Sequence, residues 1–153
     1  MVYVFCDPSE CDLVALDAWT GRPRWRRRSD QICAGHVAVA DHLLYLAGEG
    51  GLVAVDEISG AARLVSPAYA RRRCPAVGDG VVCIFSDQRL RAFEHPTGRP
   101  LWDREAEGAW PIIHAGVIYA RVKRADDSSA LLAFDLATGA TRWEAPGWGH
   151  LTG

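Results

Sequence analysis

Two cysteines and two histidines form the strongest candidate for a metal site in the sequence. They are Cys33, His36, Cys74 and His114, which lie at or near short apolar segments that recur along the chain. Thiolate sulfur and imidazole nitrogen are ligands that zinc prefers. The aligned positions, however, hold His36, Cys74 and Trp110, and buried thiols usually pack as small hydrophobes. We therefore predict no metal ligand, no cofactor and no catalytic residue, and keep a metal- or small-ligand-binding site as the alternative.

Charged residues form two short runs and one acidic pair. Arginines occupy positions 26–28 and 71–73, and such runs can contact phosphate or an acidic partner. Arginines on outer strands also discourage edge pairing between sheets, which is the interpretation we favour. Asp126 and Asp127 lie in a loop at 124–129, where a polar hairpin loop is a better interpretation than a calcium site.

Motifs for nucleophilic catalysis and phosphate binding are absent from the sequence. No serine lies in a G-x-S-x-G pattern, so no nucleophile elbow is indicated. The glycine-rich segments at 48–51 and 78–80 are too short for dinucleotide loops and are not followed by a helical pattern. Both are better interpreted as hairpin turns.

Composition indicates an ordinary globular chain. It has 153 residues, 49% hydrophobic residues and a formal net charge of −2. This charge gives no global field that would attract nucleic acid or an anionic membrane, so we expect neither as a partner. No apolar run approaches the roughly 20 residues needed to span a bilayer. The start at Met1 lacks the pattern of a signal peptide, so we expect a cytoplasmic location.

Cysteine spacing fits neither a disulfide framework nor a zinc ribbon. The chain has five cysteines and no C-x-x-C pair, which favours reduced thiols. Cys6 and Cys11 flank a probable hairpin loop, where a bridge could form in an oxidising compartment.

One seven-residue phrase occurs four times. The copies are ALDAWTG at 15–21, AVDEISG at 54–60, AFEHPTG at 92–98 and AFDLATG at 133–139, and their final glycines are 39, 38 and 41 residues apart. An acidic residue and a hydroxyl residue that bond to their own backbone, followed by a glycine free to adopt positive φ, reverse the direction of a strand. Each phrase therefore predicts a hairpin corner.

A large apolar residue follows each corner glycine by four positions. It is Trp25, Trp102 or Trp143 in three copies and Leu64 in the fourth. We expect these indoles to pack on the neighbouring repeat, since tryptophan dominates packing energy where it is buried. Replacing such a tryptophan by alanine would then cost about 3 to 5 kcal/mol.

The segments between corners predict an all-β fold. Two short apolar strands separated by a tight turn precede each of the last three corners, with Asp79-Gly80 as the strongest turn signal. A four-stranded meander repeated every 38 to 41 residues is the signature of a β-propeller. We predict one domain over 1–153, with about four blades at approximately 1–30, 31–68, 69–106 and 107–146.

The corner phrase followed by tryptophan resembles the tryptophan-docking repeat of pyrroloquinoline-quinone (PQQ)-type propellers. The resemblance implies rings of seven or eight blades, and in catalytic members a calcium-bound quinone with a disulfide between adjacent cysteines. This chain has no adjacent cysteine pair and no asparagine, so quinoprotein chemistry is not expected. The repeat is a widely reused scaffold, and it does not itself specify a function.

Fewer than four complete blades raise the question of how a ring is closed. The first unit begins at Val2 and lacks an innermost strand, which the tail at 147–153 could supply. Alternatively, two chains form an eight-bladed ring as a homodimer, or the chain is a fragment of a longer propeller. We predict a non-catalytic scaffold for protein binding or assembly, with loops such as 124–129 in contact. The alternatives are a propeller that binds a metal or small ligand, with or without enzymatic activity, and a sensor fragment of a larger protein.

Overall fold

The computed structural model describes residues 1–5, 12–28, 37–48, 50–67 and 74–147. These residues form fifteen β-strands in four antiparallel sheets, one of three strands and three of four. In the described part of the chain, no helix long and apolar enough to cross a membrane is present. The predicted all-β propeller architecture of about four blades is confirmed.

Each sheet is a meander in which sequential strands pair. Blade 1 contains β1 (Val2–Phe5), β2 (Asp12–Leu16) and β3 (Pro23–Arg28), and blade 2 contains β4 (Val37–Ala40), β5 (Leu43–Gly48), β6 (Gly51–Asp56) and β7 (Ala62–Ser66). Blade 3 contains β8 (Ala76–Gly78), β9 (Val81–Ser86), β10 (Arg89–Glu94) and β11 (Pro100–Glu105), and blade 4 contains β12 (Glu107–His114), β13 (Val117–Lys123), β14 (Ser129–Asp135) and β15 (Thr141–Pro146). The innermost strand β8 lies between β4 and β12.

Tight turns join the first and second strands of blades 2 to 4. At the predicted Asp79-Gly80 turn, φ is 49° and 76°, the left-handed pair that suits the twist of a two-residue hairpin. Asp41 and His42 adopt the same conformation, with φ of 43° and 64°, although neither residue is glycine. The tight turn that was predicted before each of the last three corners is therefore present, even where the sequence has no glycine.

The four corner phrases form the predicted reversals. In blade 4, Oδ1 of Asp135 accepts hydrogen bonds from the backbone nitrogen of Thr138 at 2.9 Å and from its Oγ1 at 2.9 Å. The corner glycine Gly139 has a φ of 70°. Hydrogen bonds from Arg142 and then Thr138 lower the pKa of the Asp135 carboxyl to about 2. The acid, the hydroxyl residue and the glycine thus have the roles that the repeated phrase indicated.

Apolar side chains are buried between blades. Blades 1 and 2 share a cluster with Leu13 and Leu46, blades 2 and 3 share one with Tyr45 and Ile84, and blades 3 and 4 share one with Phe85 and Ile118. Alternate residues of each strand point to opposite faces of the sheet, so blades 2 and 3 each pack on two neighbouring blades. Among the described residues, blades 1 and 4 each pack on one neighbouring blade.

Several predictions concern residues outside the described ranges. They are the Cys6 and Cys11 loop, the arginines at 71–73, and the tail residues 148–153 that were expected to complete blade 1. Within the described residues, the sheet of blade 1 has three strands.

Candidate binding surface

The axial residues that suggested a metal site do not converge in the described structure. Cys74 is half-buried and lies four residues before Gly78, where β8 ends, whereas the exposed His114 lies at the matching end of β12. Gly78 packs against Ile113, so these two strand ends are level. Four strand residues span ~13 Å, far beyond the reach of one metal ion. The described residues contain no group of three or more metal-ligating side chains, and Cys33 and His36 lie outside them.

The charged motifs are engaged in structural hydrogen bonds. Arg27 donates to the Gly60 carbonyl of blade 2 at 3.1 Å, so it is a junction residue and not merely a solvated side chain. Asp126 accepts from the backbone nitrogen and the hydroxyl of Ser128 at 3.0 and 2.6 Å. Asp127 pairs with Lys123 at 2.6 Å. The 124–129 segment is therefore a polar hairpin loop whose acids bond within the loop and to its flanking strand.

Tryptophan docking holds two of the three junctions. The Trp25 indole nitrogen donates to the Glu57 carbonyl of blade 2 at 2.9 Å, and a Cβ on Gly60 would lie 2.9 Å from the indole ring. Blades 3 and 4 repeat this contact, with Trp102 donating to the Leu136 carbonyl at 2.9 Å. A side chain at the corner would prevent such an approach, and the docking glycine is required for this second reason besides its φ.

The junction between blades 2 and 3 uses different groups. Arg63 donates to the Thr97 carbonyl at 2.6 Å, and the Tyr45 hydroxyl bonds to Nδ1 of His95 at 2.7 Å. Burial raises the pKa of the Tyr45 hydroxyl, which therefore remains protonated at neutral pH. Polar side chains thus replace the indole at the middle junction.

Leu64, which follows the corner glycine of the second copy by four positions, does not take the place of a docking tryptophan. The register shift that lies between Ala15 and Leu16 in blade 1 lies between Leu52 and Val53 in blade 2, so Arg63 pairs with Ala54, at the place that Trp25 takes opposite Ala15. Leu64 is 56% exposed.

Among the described residues, no blade covers the docking side chains on the outer face of blade 4. One row of paired residues crosses the sheet from β12 to β15, and we call this row the open face. Its members are Ile112, Tyr119, Ala133 and Trp143. Ile112 is 63% exposed and Trp143 45%. In blade 3 the equivalent row ends in Trp102 and is packed against blade 4. The open face is therefore an unfilled half of a regular blade junction.

A cleft of about 380 Å³ adjoins the start of the open face. Trp110 lies in a bulge between Ala109 and Ile112, has a φ of 51° and is 60% exposed. A bulky residue with positive φ is strained, and bulges of this kind redirect side chains at binding sites. Arg121 and Lys123 add two cationic groups to the cleft lining.

Sequence reasoning did not identify this surface. The repeat shows that Trp143 is a docking residue, but loops such as 124–129 were expected to form the contact surface, and the exposure of Trp143 and Ile112 was found only in the structure. The strained Trp110 had a signal in the sequence, because Trp110-Pro111 interrupts the alternation of β12, and proline in a strand accompanies edges and bulges.

The repeated blades and their docking contacts define a partial β-propeller of the tryptophan-docking class. The chain matches the family described as outer membrane protein assembly factor BamB over residues 9–147, and it belongs to that family. No curated protein sequence matches it.

Solved structures share the fold at low identity. BamB from Moraxella catarrhalis is 22% identical with a TM-score of 0.60, and the match covers 87% of this chain and 54% of that one. A europium-containing methanol dehydrogenase is 14% identical with a TM-score of 0.68, covering 88% and 38%. The Pan2 WD40 domain of Neurospora crassa is 14% identical with a TM-score of 0.66, covering 95% and 51%. The chain thus spans about half the length of BamB, and less of the dehydrogenase.

Proposed function

We propose that the chain is a non-catalytic propeller scaffold that binds or assembles with protein through the open face of blade 4. The observation that carries this proposal is the exposure of Trp143 and Ile112 in a row whose tryptophan-bearing counterparts, in blades 1 and 3, are packed on the following blade. A large indole surrounded by apolar side chains is the usual centre of a protein interface. The open face therefore has the composition of a binding site.

Family membership supports an assembly role. The family is described by an outer membrane assembly factor, and one solved neighbour carries that name. Another neighbour is a dehydrogenase, so the fold itself is compatible with both roles. The described residues contain no metal-ligating cluster. Their hydrogen-bonded chain of acid, imidazole and hydroxyl, Asp41–His95–Tyr45, has its His95 and Tyr45 side chains buried at the junction of blades 2 and 3, so binding is the function that their geometry favours.

Site-specific photo-cross-linking in cells tests this role. Benzoylphenylalanine in place of Trp143 should give protein adducts, because the open face is covered in the assembled state. The matched control is the same replacement at Ile58, which is 74% exposed at the blade 2 corner. If adducts from position 143 do not exceed those from position 58, the proposed function is wrong.

The cleft at Trp110 favours a second candidate function, the binding of a small anionic ligand. Arg121, which has no acidic partner among the described residues, supplies a cationic group, and the exposed indole supplies a stacking surface. Lys123 also lines the cleft but is already paired with Asp127 at 2.6 Å. Titration calorimetry with citrate and with glucuronate tests it, comparing the unchanged chain with Arg121→Gln. Binding that Arg121→Gln weakens supports the candidate, and absence of heat at millimolar ligand rejects it.

The metal-binding alternative and the site of action are tested separately. Metal analysis of freshly purified protein tests a site that includes Cys33 and His36, and less than about a tenth of an equivalent of any transition metal rejects the metal-binding alternative.

We propose the cytoplasm as the location, which the free thiols of Cys74 and Cys83 support. A reporter fusion that is active only outside the cytoplasm should remain inactive.

A further inference from the structure

The corner of blade 1 is the unfilled complement of the open face. Gly21 has a φ of 68°, close to the 70° of Gly60 and Gly139. Those two corner glycines are buried under docked indoles, whereas Gly21 is exposed and a Cβ there would have nothing within 4 Å. The first corner thus has the docking conformation and no docked side chain.

The hydrogen bonds of this corner match those of a docked corner. Oδ1 of Asp17 accepts from the backbone nitrogen of Thr20 at 2.9 Å and from its Oγ1 at 2.9 Å, the values found at Asp135. The Ala18 carbonyl takes the place of the Leu136 carbonyl, which accepts from Trp102 in the filled junction. The acceptor for an indole N–H is therefore already in position.

Trp143 is presented in the conformation of a docked tryptophan. Its ring lies 5.9 Å from the Tyr119 ring in a tilted arrangement. In the filled junction of blades 1 and 2, Trp25 lies 6.2 Å from Tyr3, also tilted. The tyrosine holds the indole in the same way in both blades, so docking of Trp143 needs little rearrangement.

We propose that the partner on the open face is a second copy of this chain, bound head to tail, with Trp143 of each copy on the Gly21 corner of the other. This inference rests on the proposed function and names its partner. The open space over Gly21 shows that the chain does not fill its own first corner with Trp143. Both halves of a regular junction are therefore available, one at each end of every copy. Two such contacts related by a two-fold axis close a ring of eight blades.

Light scattering behind a sizing column, with dissociation constants from sedimentation, tests the proposal on the 153-residue chain. We expect twice the chain mass, and at least tenfold weaker association for Trp143→Ala and for Gly21→Ala. Trp19→Ala is the matched control, since this exposed indole lies at the same corner but outside the docking contact. It should leave association unchanged. Melting of each variant at low concentration shows that its blades remain folded.

Mixing the two weakened variants distinguishes head-to-tail contact from any other dimer. A mixed pair keeps one intact contact, from Trp143 of one variant to Gly21 of the other, so the mixture should associate more tightly than either variant alone. The proposal is overturned if neither substitution changes the dissociation constant of the dimer, or if the chain forms larger species without a closed ring.

Cross-linking keeps the proposal testable if a variant fails to fold. A cross-linker at position 143 should give adducts that map to residues 12–28 of the second copy. A single chain mass at high micromolar concentration, together with adducts to a different protein, contradicts the second copy while leaving the proposed function intact. Absence of any protein adduct contradicts both.

Discussion

Alanine at Gly139 should destabilise the chain far more than alanine at a glycine with the same backbone but open surroundings. Gly80 is the control, because its φ is 76° and a Cβ there would have nothing within 4 Å. At Gly139 the φ is 70°, and a Cβ would lie 2.6 Å from Cε3 of Trp102. Both changes carry the left-handed backbone cost, and only Gly139→Ala also displaces an indole.

The magnitude follows from these two terms. A left-handed alanine costs about 1 to 2 kcal/mol, partly offset by about 0.4 to 1 kcal/mol from the reduced entropy of the unfolded chain. Overpacking adds about 1 to 3 kcal/mol. Since about 1 kcal/mol shifts the melting temperature by roughly 2 to 4 °C at this size, Gly139→Ala should melt roughly 2 to 12 °C below Gly80→Ala.

Two further measurements sharpen this test. The cost should rank with the clearance of the added Cβ, which is 2.9 Å from Trp25 at Gly60 and 3.3 Å from Cγ1 of Val65 at Gly98. In a Trp102→Ala background, the extra cost of Gly139→Ala should largely disappear, as a double-mutant cycle would show. Calorimetric melting gives all values. If Gly139→Ala and Gly80→Ala melt within about one degree of each other, tryptophan docking does not act through this glycine.

Three more outcomes are expected. Tyr45→Phe should cost about 1 to 3 kcal/mol by thermal melting, because it leaves His95 Nδ1 without its 2.7 Å partner, whereas Tyr119→Phe should cost little. Since hydrogen bonds hold the folded-state pKa of Asp135 at about 2, stability from this group is present above pH 4 and falls between pH 4 and pH 2. The melting difference between the unchanged chain and Asp135→Asn should shrink over that range. Burial raises the pKa of the Cys83 thiol to about 12, so mass-mapped alkylation at pH 8 should leave it unmodified until the chain unfolds.

The repeat unit was predictable because its signals are local. An acid, a hydroxyl residue and a glycine within five positions determine each corner, and Asp79-Gly80 determines a turn without reference to the rest of the fold. The second blade shows the limit of such signals. Its bulge moves Arg63 into the place of the docking tryptophan, and a shift of register by one residue exchanges the two faces of a strand. A spacing count from the corner glycine therefore selected Leu64, which faces solvent.

Contacts between residues that are far apart in the sequence could not be predicted from the spacing of the repeat. Cys74 and His114 both lie at or near innermost strands, and the repeat aligns Cys74 with Trp110 and not with His114. The packing of Gly78 on Ile113 shows that the two side chains are too far apart to share a ligand. His95 was missed as a junction residue because its partner, Tyr45, is fifty positions away in the preceding blade. Such contacts depend on the packing of one complete blade on another.

Function in this chain is better sought at its end faces than along its axis. The described axial positions hold unlike residues that do not meet, so they offer no common chemistry. The row from the innermost strand to the docking residue, by contrast, recurs in every four-stranded blade. In two of the three tryptophan-bearing blades, the docking tryptophan packs on the next blade of the same chain. In the third, Trp143 has the same tyrosine beside it and no glycine beneath it. A buried indole stabilises a contact far more than an exposed one. Burial of Trp143 by a protein that covers the open face would therefore strengthen the binding of that protein.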